Sequence, residues 1–204
     1  MVDNIGWNFP PTGGGLEDGF NDPGMAHFSG EPLTSLARET IQNSLDASLS
    51  DDEPVHVSFE LIDLKPEDIG KDELAKTLQA CCDETQTNPT ARDSLQAAQK
   101  SIESSKIPCM RISDRHTTGL RGSQWRALVK MQGVSDKPGQ KGAGGSFGIG
   151  KYAPFVVSEL RTCFYWTHYR EGGTEIEKFQ GKSVLIWGLY TMMPKPTWDW
   201  SGGS

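Results

Sequence analysis

Residues 54 to 64, PVHVSFELIDL, alternate apolar and polar side chains. The apolar ones occupy every second position, at Val55, Val57, Phe59 and Leu61. Because successive side chains of a strand point to opposite faces, this pattern predicts a β-strand with one buried face. IPCMRISD, which ends at Asp114, also has strand character. Further along, RTCFYWTHYR, TEIEKFQ and KSVLIWGLY predict successive antiparallel strands.

Helical patterns lie between these strands. In EPLTSLARETIQNSLDASLS, Pro32 suits a first helical position and no helix breaker occurs before Leu49, which predicts one helix. One side of this helix is expected to face the core, with Leu33, Ala37, Ile41, Leu45 and Ser48. Two polar segments at about 71–84 and 90–104, split by Asn88-Pro89, predict a helical hairpin peripheral to the main sheet. GSQWRALVKMQG predicts a short helix, and KYAPFVVSEL the start of another.

The chain of 204 residues fits one domain. Residues 1–30 are rich in Gly, Pro, Asn and Asp but carry the aromatic residues Trp7, Phe9, Phe20 and Phe28. We therefore expect an irregular arm whose aromatic side chains anchor it by packing against another part of the protein. Residues 31–200 form the domain, with the helical insert at about 66–106. The tail at 201–204 has no visible stop to its element and is a candidate truncation point.

The net charge and the spacing of the cysteines exclude some classes of binding partner. The chain has 20 Lys plus Arg against 27 Asp plus Glu, a net charge of −7, so no direct nucleic acid binding is expected from this segment. Four cysteines form no CxxC motif and no metal-ligand spacing with the histidines, which indicates reduced thiols and a cytoplasmic protein. The sequence has neither a secretion signal nor an apolar run near 18 residues, so no membrane partner is expected.

Polar residues on the first long helix are the first candidates for chemistry. Glu39, Asn43 and Asp46 are spaced i, i+4 and i+7, which places them within an arc of roughly 60°. For this helix alone, a solvated face is the simpler explanation. Asp114 ends a strand and is followed by Gly119; a carboxylate there can accept from an exocyclic amine or hold a metal, although a turn-forming Asp is the simpler alternative.

The stretch GAGGSFGIGKYAPF, residues 142–155, is dense in glycine. Backbone N–H groups of a glycine-rich turn before a helix suit a phosphate, whereas a flexible surface loop is the alternative. GSFGIGK also matches the GxxxxGK of a P-loop. However, Tyr152 replaces the Ser or Thr that would bind Mg²⁺, and no buried strand precedes the motif. GIGKYA is a weaker, partial GxGxxA dinucleotide motif.

Taken in order, RETIQNSLDA, ISDRHTTGL and GGSFGIGKYAPF resemble the three ATP-site boxes of the GHKL superfamily. Its members include the gyrase B subunit, heat-shock-protein-90-type chaperones, MutL, MORC proteins and histidine kinases. The resemblance covers roughly residues 30–190. It implies the Bergerat fold, an α/β sandwich whose mixed, largely antiparallel sheet is covered on one face by helices, and it implies ATP and Mg²⁺ as cofactors.

The resemblance also implies residue roles. Glu39 would be the general base for the attacking water, and Asn43 would hold Mg²⁺ through its side-chain oxygen. Asp46 would support the nucleotide pocket. Asp114 would accept from the adenine amino group. Gly119 would let the chain pass close to the adenine. The backbone would pass around the triphosphate at Gly145, Gly148 and Gly150, and the helix that begins at Lys151 would point its N-terminus at the phosphates.

Two departures from the family pattern concern the adenine side. The second box usually has Gly two residues after the Asp, where this chain has His116. The family also tends to place a Thr on a late strand beside that Asp. Thr174 and Ser183 are candidates for this role, unless the residue lies beyond Ser204.

Three classes of function remain open within the resemblance. The first is an ATPase in which hydrolysis drives closure of a lid and homodimerisation, and Glu39 favours it. The second is an ATP-gated binding module without turnover. The third, a sensor kinase, usually has Asn in place of that Glu. Lys137 and Lys141 could neutralise the γ-phosphate. In gyrase-like members a catalytic Lys or Arg comes from a following domain, so hydrolysis by this chain alone is expected to be slow, and a downstream effector or partner is implied.

Overall fold

The computed structural model describes residues 6–8, 23–84, 89–129, 150–185 and 188–192. Within them the chain forms helices and two antiparallel sheets, so the α/β class expected from the sequence is confirmed. None of the described helices has both the length and the apolar character that a membrane crossing requires.

The helices are α1 (Pro23–Ala26), α2 (Pro32–Asp46), α3 (Lys71–Glu84), α4 (Pro89–Glu103), α5 (Gly122–Val129) and α6 (Ala153–Val157). The strands are β1 (Trp7–Asn8), β2 (His56–Leu64), β3 (Ile107–Arg115), β4 (Thr162–Glu171), β5 (Thr174–Leu185) and β6 (Gly188–Met192). Short 3₁₀ turns occupy Pro66–Ile69 and Gly150–Tyr152. Each helix and strand expected between residues 31 and 129 is therefore present, within a few residues of the expected bounds.

The strands divide between two sheets. One has the order β1-β6-β5-β4, and the other is the β2–β3 pair, in register from His56 opposite Arg115 to Leu64 opposite Ile107. Every pairing among the described residues is antiparallel, so the expected single mixed sheet is not seen there. TEIEKFQ and KSVLIWGLY were expected to be separate strands. TEIEKFQ and the residues KSVL instead form the one strand β5, with Gly181 inside it, and the residues GLY at the end of the second segment begin β6.

The main hydrophobic core lies against the α3–α4 hairpin. Leu74, Leu78 and Ile102 of the hairpin are fully buried, and they cluster with Leu64 of β2 and Ile107 of β3. Leu160 and Leu185 add the edge of the larger sheet to the same cluster. The expectation that this hairpin is a peripheral insert is therefore wrong, because its apolar faces supply much of the core.

Truncation of a hairpin core residue should lower the stability of the whole chain. Ile102→Ala removes a side chain with no solvent exposure, so we expect the free energy of unfolding to fall by about 2–5 kcal/mol. Urea denaturation measures this loss. The control is Leu61→Ala, because Leu61 is 81% exposed and its loss should change stability by less than about 0.5 kcal/mol. An Ile102→Ala variant as stable as Leu61→Ala would contradict this account of the core.

Two apolar faces expected to be buried are exposed. On β2, Phe59 and Leu61 point to solvent, and the strand instead joins the core through Leu64 and, in part, Ile62. On α2 the expected core-facing side is also exposed, with Leu33, Ile41 and Leu45, and Ser48 lies beyond the end of the helix. The buried positions of α2 are Leu36 and Ser44. The spacing of apolar residues identified the apolar side of α2 and of β2, but in the structure a different side of each element is packed against the rest of the protein.

The N-terminal arm packs on its own chain at Trp7. The Trp7 backbone N–H donates to Glu73 Oε2 at 2.8 Å, and the indole Nε1–H donates to the Ile69 carbonyl at 2.9 Å. Trp7 is also a member of the main core cluster, and Phe28 is buried as well. The expectation of aromatic anchors is confirmed at these two positions, while Phe9 and Phe20 lie outside the described residues.

Candidate functional site

Glu39 of α2 lies directly against Gly150, where the chain enters the 3₁₀ turn before α6. A Cβ placed on Gly150 would be 2.9 Å from Glu39 Cδ and would overlap the carboxylate oxygen Oε2. Gly150 is buried, so the space is filled by the Glu39 side chain itself. Only glycine allows this approach without displacing the carboxylate, and the structure thus brings the first and third sequence motifs together.

The short helix α6 is held in place by burial of two side chains and by a hydrogen bond to its backbone. Ala153 and Phe155 are buried, and Arg161 Nη1 donates to the Phe155 carbonyl at 3.0 Å. Burial lowers the pKa of this arginine. The helix expected to begin near Lys151 is present, but it spans only Ala153–Val157 after the 3₁₀ turn. A helix of five residues has a correspondingly small dipole.

Asp114 lies at the end of β3 and is fixed by two hydroxyl groups. Ser44 Oγ lies 2.9 Å from Asp114 Oδ2, and Thr117 Oγ1 lies 3.2 Å from Oδ1. Ser44 is buried, whereas the carboxylate of Asp114 is exposed and retains free acceptor capacity on both oxygens. A carboxylate oriented in this way is suited to accept a hydrogen bond from a ligand amine.

Ser44 contacts the candidate residue Asp114 but was not predicted from the sequence. It follows Asn43 directly but lies on the neighbouring face of α2, outside the arc of the three polar candidates. Its hydroxyl also lies 3.0 Å from the Thr40 carbonyl, one turn earlier. No local pattern distinguishes it from a serine bonded only within its helix, because its partner Asp114 is distant in the sequence.

Asn43 and Asp46 remain on α2 with exposed side chains. Among the described residues, no group of three or more His, Cys, Asp or Glu side chains could hold a metal ion. Mg²⁺ in nucleotide sites is commonly held by one or two protein oxygens together with substrate phosphates and water. A single amide oxygen, such as that of Asn43, is compatible with that mode of binding.

The loop after β3 is fastened to β4. Gly119 has φ +70°, and a Cβ there would be 3.0 Å from Thr167 Oγ1 and 3.2 Å from Tyr169 Cβ. The Leu120 N–H donates to Thr167 Oγ1 at 2.9 Å. Gly119 was expected to let the chain pass close to an adenine. The atoms that its Cβ would meet here belong to β4, so the close approach that the structure shows is one to the protein itself.

Thr167 is a late-strand threonine that was not among the candidates Thr174 and Ser183. Thr174 is exposed at the start of β5. Ser183 is fully buried and bonded to Thr162 Oγ1 at 3.0 Å. Thr167 is buried on β4 and contacts the loop that follows Asp114. The segment FYWTHYR gives no sign of this contact, because the partner of Thr167, Leu120, is distant in the sequence.

His116 has the backbone conformation that glycine adopts readily. Its φ is +63°, in the left-handed region, at the position where the family pattern has Gly. Its carbonyl accepts from Leu49 N–H at 3.0 Å, and Thr118 N–H donates to the Ala47 carbonyl at 2.8 Å. His116 Nδ1 also pairs with Glu53. The loop after β3 is thereby joined to the C-terminal end of α2.

The remaining candidates divide between described and undescribed residues. Lys151 follows Gly150 in the 3₁₀ turn, with Nζ 5.9 Å from the Tyr152 ring centroid. Gly145, Gly148, Lys137 and Lys141 lie outside the described residues. Cys81, Cys82, Cys109 and Cys163 form no disulfide bond in the structure.

Comparison with protein-family models, curated proteins and solved structures gives no match to this chain.

Proposed function

We propose that this chain binds Mg-ATP between α2, the end of β3 and the turn at Gly150, and that it hydrolyses the nucleotide. One observation carries the proposal, namely that α2 contacts both other motifs. Glu39 lies against Gly150, and Ser44 bonds Asp114. Ser44 follows Glu39 by five positions, which is about 7.5 Å along the helix axis.

Each end of this arrangement suits one part of ATP. Asp114 is exposed and held by hydroxyl donors, so its remaining acceptor sites can take the adenine amino group. At the other end, the carboxylate of Glu39 lies beside the turn at Gly150, where the backbone has no side chain. The three sequence motifs and their resemblance to the GHKL boxes support the same assignment, and with it the Bergerat fold.

Hydrolysis follows from the position of Glu39. As general base, its carboxylate takes a proton from the water whose oxygen bonds to the γ-phosphorus, and the bond from that phosphorus to the bridging oxygen breaks to give ADP and phosphate. Asn43 would hold Mg²⁺, which supplies neutralising charge on the phosphate oxygens when bound. Asp46 would support the pocket from the same helix.

An ATP-gated binding module is the second candidate, and the exposed apolar side of α2 favours it. Leu33 and Leu45 are 61% and 58% exposed, and apolar surface of this kind suits contact with another protein. A second copy of this chain or a downstream effector are the partners that we propose for it. Closure on ATP would then control the interaction, with or without turnover.

Phosphate release tests the enzymatic proposal against the binding module. We expect the chain to release phosphate from ATP slowly in the presence of Mg²⁺. Chelation of the metal by EDTA should abolish the release, because Mg²⁺ is needed to orient the triphosphate and to neutralise its charge. A malachite green assay at saturating ATP measures the rate. Bound ATP that is recovered intact after many hours would contradict hydrolysis and support the module.

A further inference from the structure

Lys182 of β5 is a charged side chain in the protein interior. It is 2% exposed, and it is the one charged residue among the buried polar side chains of the described chain. Removing an ammonium group from water is costly unless acceptors or an opposite charge replace the water. The buried ammonium group of Lys182 is therefore expected to need an anion or several hydrogen-bond acceptors beside it.

The described residues do not supply an adequate partner. Lys182 Nζ lies 3.5 Å from the Leu128 carbonyl, at the limit of a hydrogen bond, and 5.7 Å from the Phe155 ring centroid. No carboxylate in the described ranges lies within ion-pairing distance of it. An ammonium has three donors, so the contact with Leu128 and the ring leave most of its capacity unused.

The neighbouring charge is positive rather than negative. Burial and, to a smaller extent, the nearby ammonium of Lys151 lower the pKa of Lys182 to about 8, while Cys163 acts in the opposite direction. Lys151 belongs to the 3₁₀ turn that begins at Gly150, beside Glu39. Lys182 also approaches Phe155 of α6, the helix that follows this turn, so an anion bound at the Gly150 end of the candidate site would offset the cost of burying the charge of Lys182.

We propose that Lys182 contacts the phosphate chain of the bound nucleotide, as a cation supplied by the sheet of this chain itself. The inference rests on the proposed function. A lysine side chain has a flexible four-carbon stem, so Nζ can leave the Leu128 carbonyl for a phosphate oxygen without movement of β5. There it would neutralise charge on the phosphoryl oxygens, the role that a cation from a following domain has in gyrase-like members of the family.

The test compares Lys182→Met with Lys178→Met in the full chain. Lys178 lies four residues earlier on the same strand, where Nζ donates to Tyr169 Oη at 3.1 Å. Calorimetric titrations use Mg-ATP, adenosine and inorganic tripolyphosphate. We expect Lys182→Met to weaken Mg-ATP and tripolyphosphate at least tenfold and to leave adenosine affinity unchanged, whereas Lys178→Met should leave all three affinities near wild type.

Thermal unfolding without ligand separates this role from a structural one. Methionine fills a similar volume without a buried charge, so Lys182→Met should melt at or above the wild-type temperature. Wild-type Mg-ATP and tripolyphosphate affinities in that folded variant would overturn the inference, and so would a lower melting temperature with equal losses for adenosine and ATP. If wild type binds tripolyphosphate but neither ATP nor adenosine, the proposed function fails while the role of Lys182 as an anion ligand is retained.

Discussion

Replacing Glu39 by alanine should lower the rate of ATP hydrolysis by about 10²-fold or more while Mg-ATP affinity stays close to wild type. The reason is that Glu39 touches the backbone at Gly150 but not Asp114, so its loss removes the general base without removing the adenine contact. Single-turnover phosphate release measures the rate, and calorimetry measures the affinity. Glu39→Gln, which keeps the shape of the side chain, should show the same loss.

The contact between Glu39 and Gly150 provides an independent check of the same claim. Gly150→Ala places a Cβ where the carboxylate lies and should displace it, giving a hydrolysis defect similar to that of Glu39→Ala. Gly30→Ala is the matched control, because a Cβ at Gly30 meets no atom within 4 Å. Wild-type phosphate release in both Glu39→Ala and Gly150→Ala would contradict the assignment of the base.

Asp114→Asn should remove ATP binding. The amide replaces one acceptor oxygen by a donor, which cannot accept from the adenine amino group, and it also disturbs the bonds from Ser44 and Thr117. Ser44→Ala should weaken Mg-ATP by about tenfold to a hundredfold, since a hydrogen bond to a charged group contributes about 1.5–3 kcal/mol. Asp63→Asn, on the exposed salt bridge to Lys106, is the matched control and should bind as wild type does.

The sequence allowed the elements to be predicted better than their burial. Pro32 marked the start of α2, and Asn88-Pro89 separated α3 from α4. Amphipathic patterns, however, show which side of an element is apolar and leave open what covers it. Leu61 is 81% exposed because β2 and β3 meet the core only near Leu64 and Ile107.

The candidate site was predictable where a residue belongs to a motif and not where its role depends on a distant partner. Glu39 and Asp114 were identified from spacing and strand position. Ser44 and Thr167 were not, because their contacts with Asp114 and Leu120 join parts of the chain that only folding brings together. Lys182 looked like an ordinary strand residue, and only its burial distinguishes it.

Calorimetric titration of Mg-ATP into the wild-type chain, with Asp114→Asn measured in parallel, tests the central claim most directly. The account predicts saturable binding of one nucleotide per chain in the wild type and no measurable heat of binding in a folded Asp114→Asn variant. Absence of Mg-ATP binding to the folded wild-type chain, or equal affinity in both proteins, would contradict it.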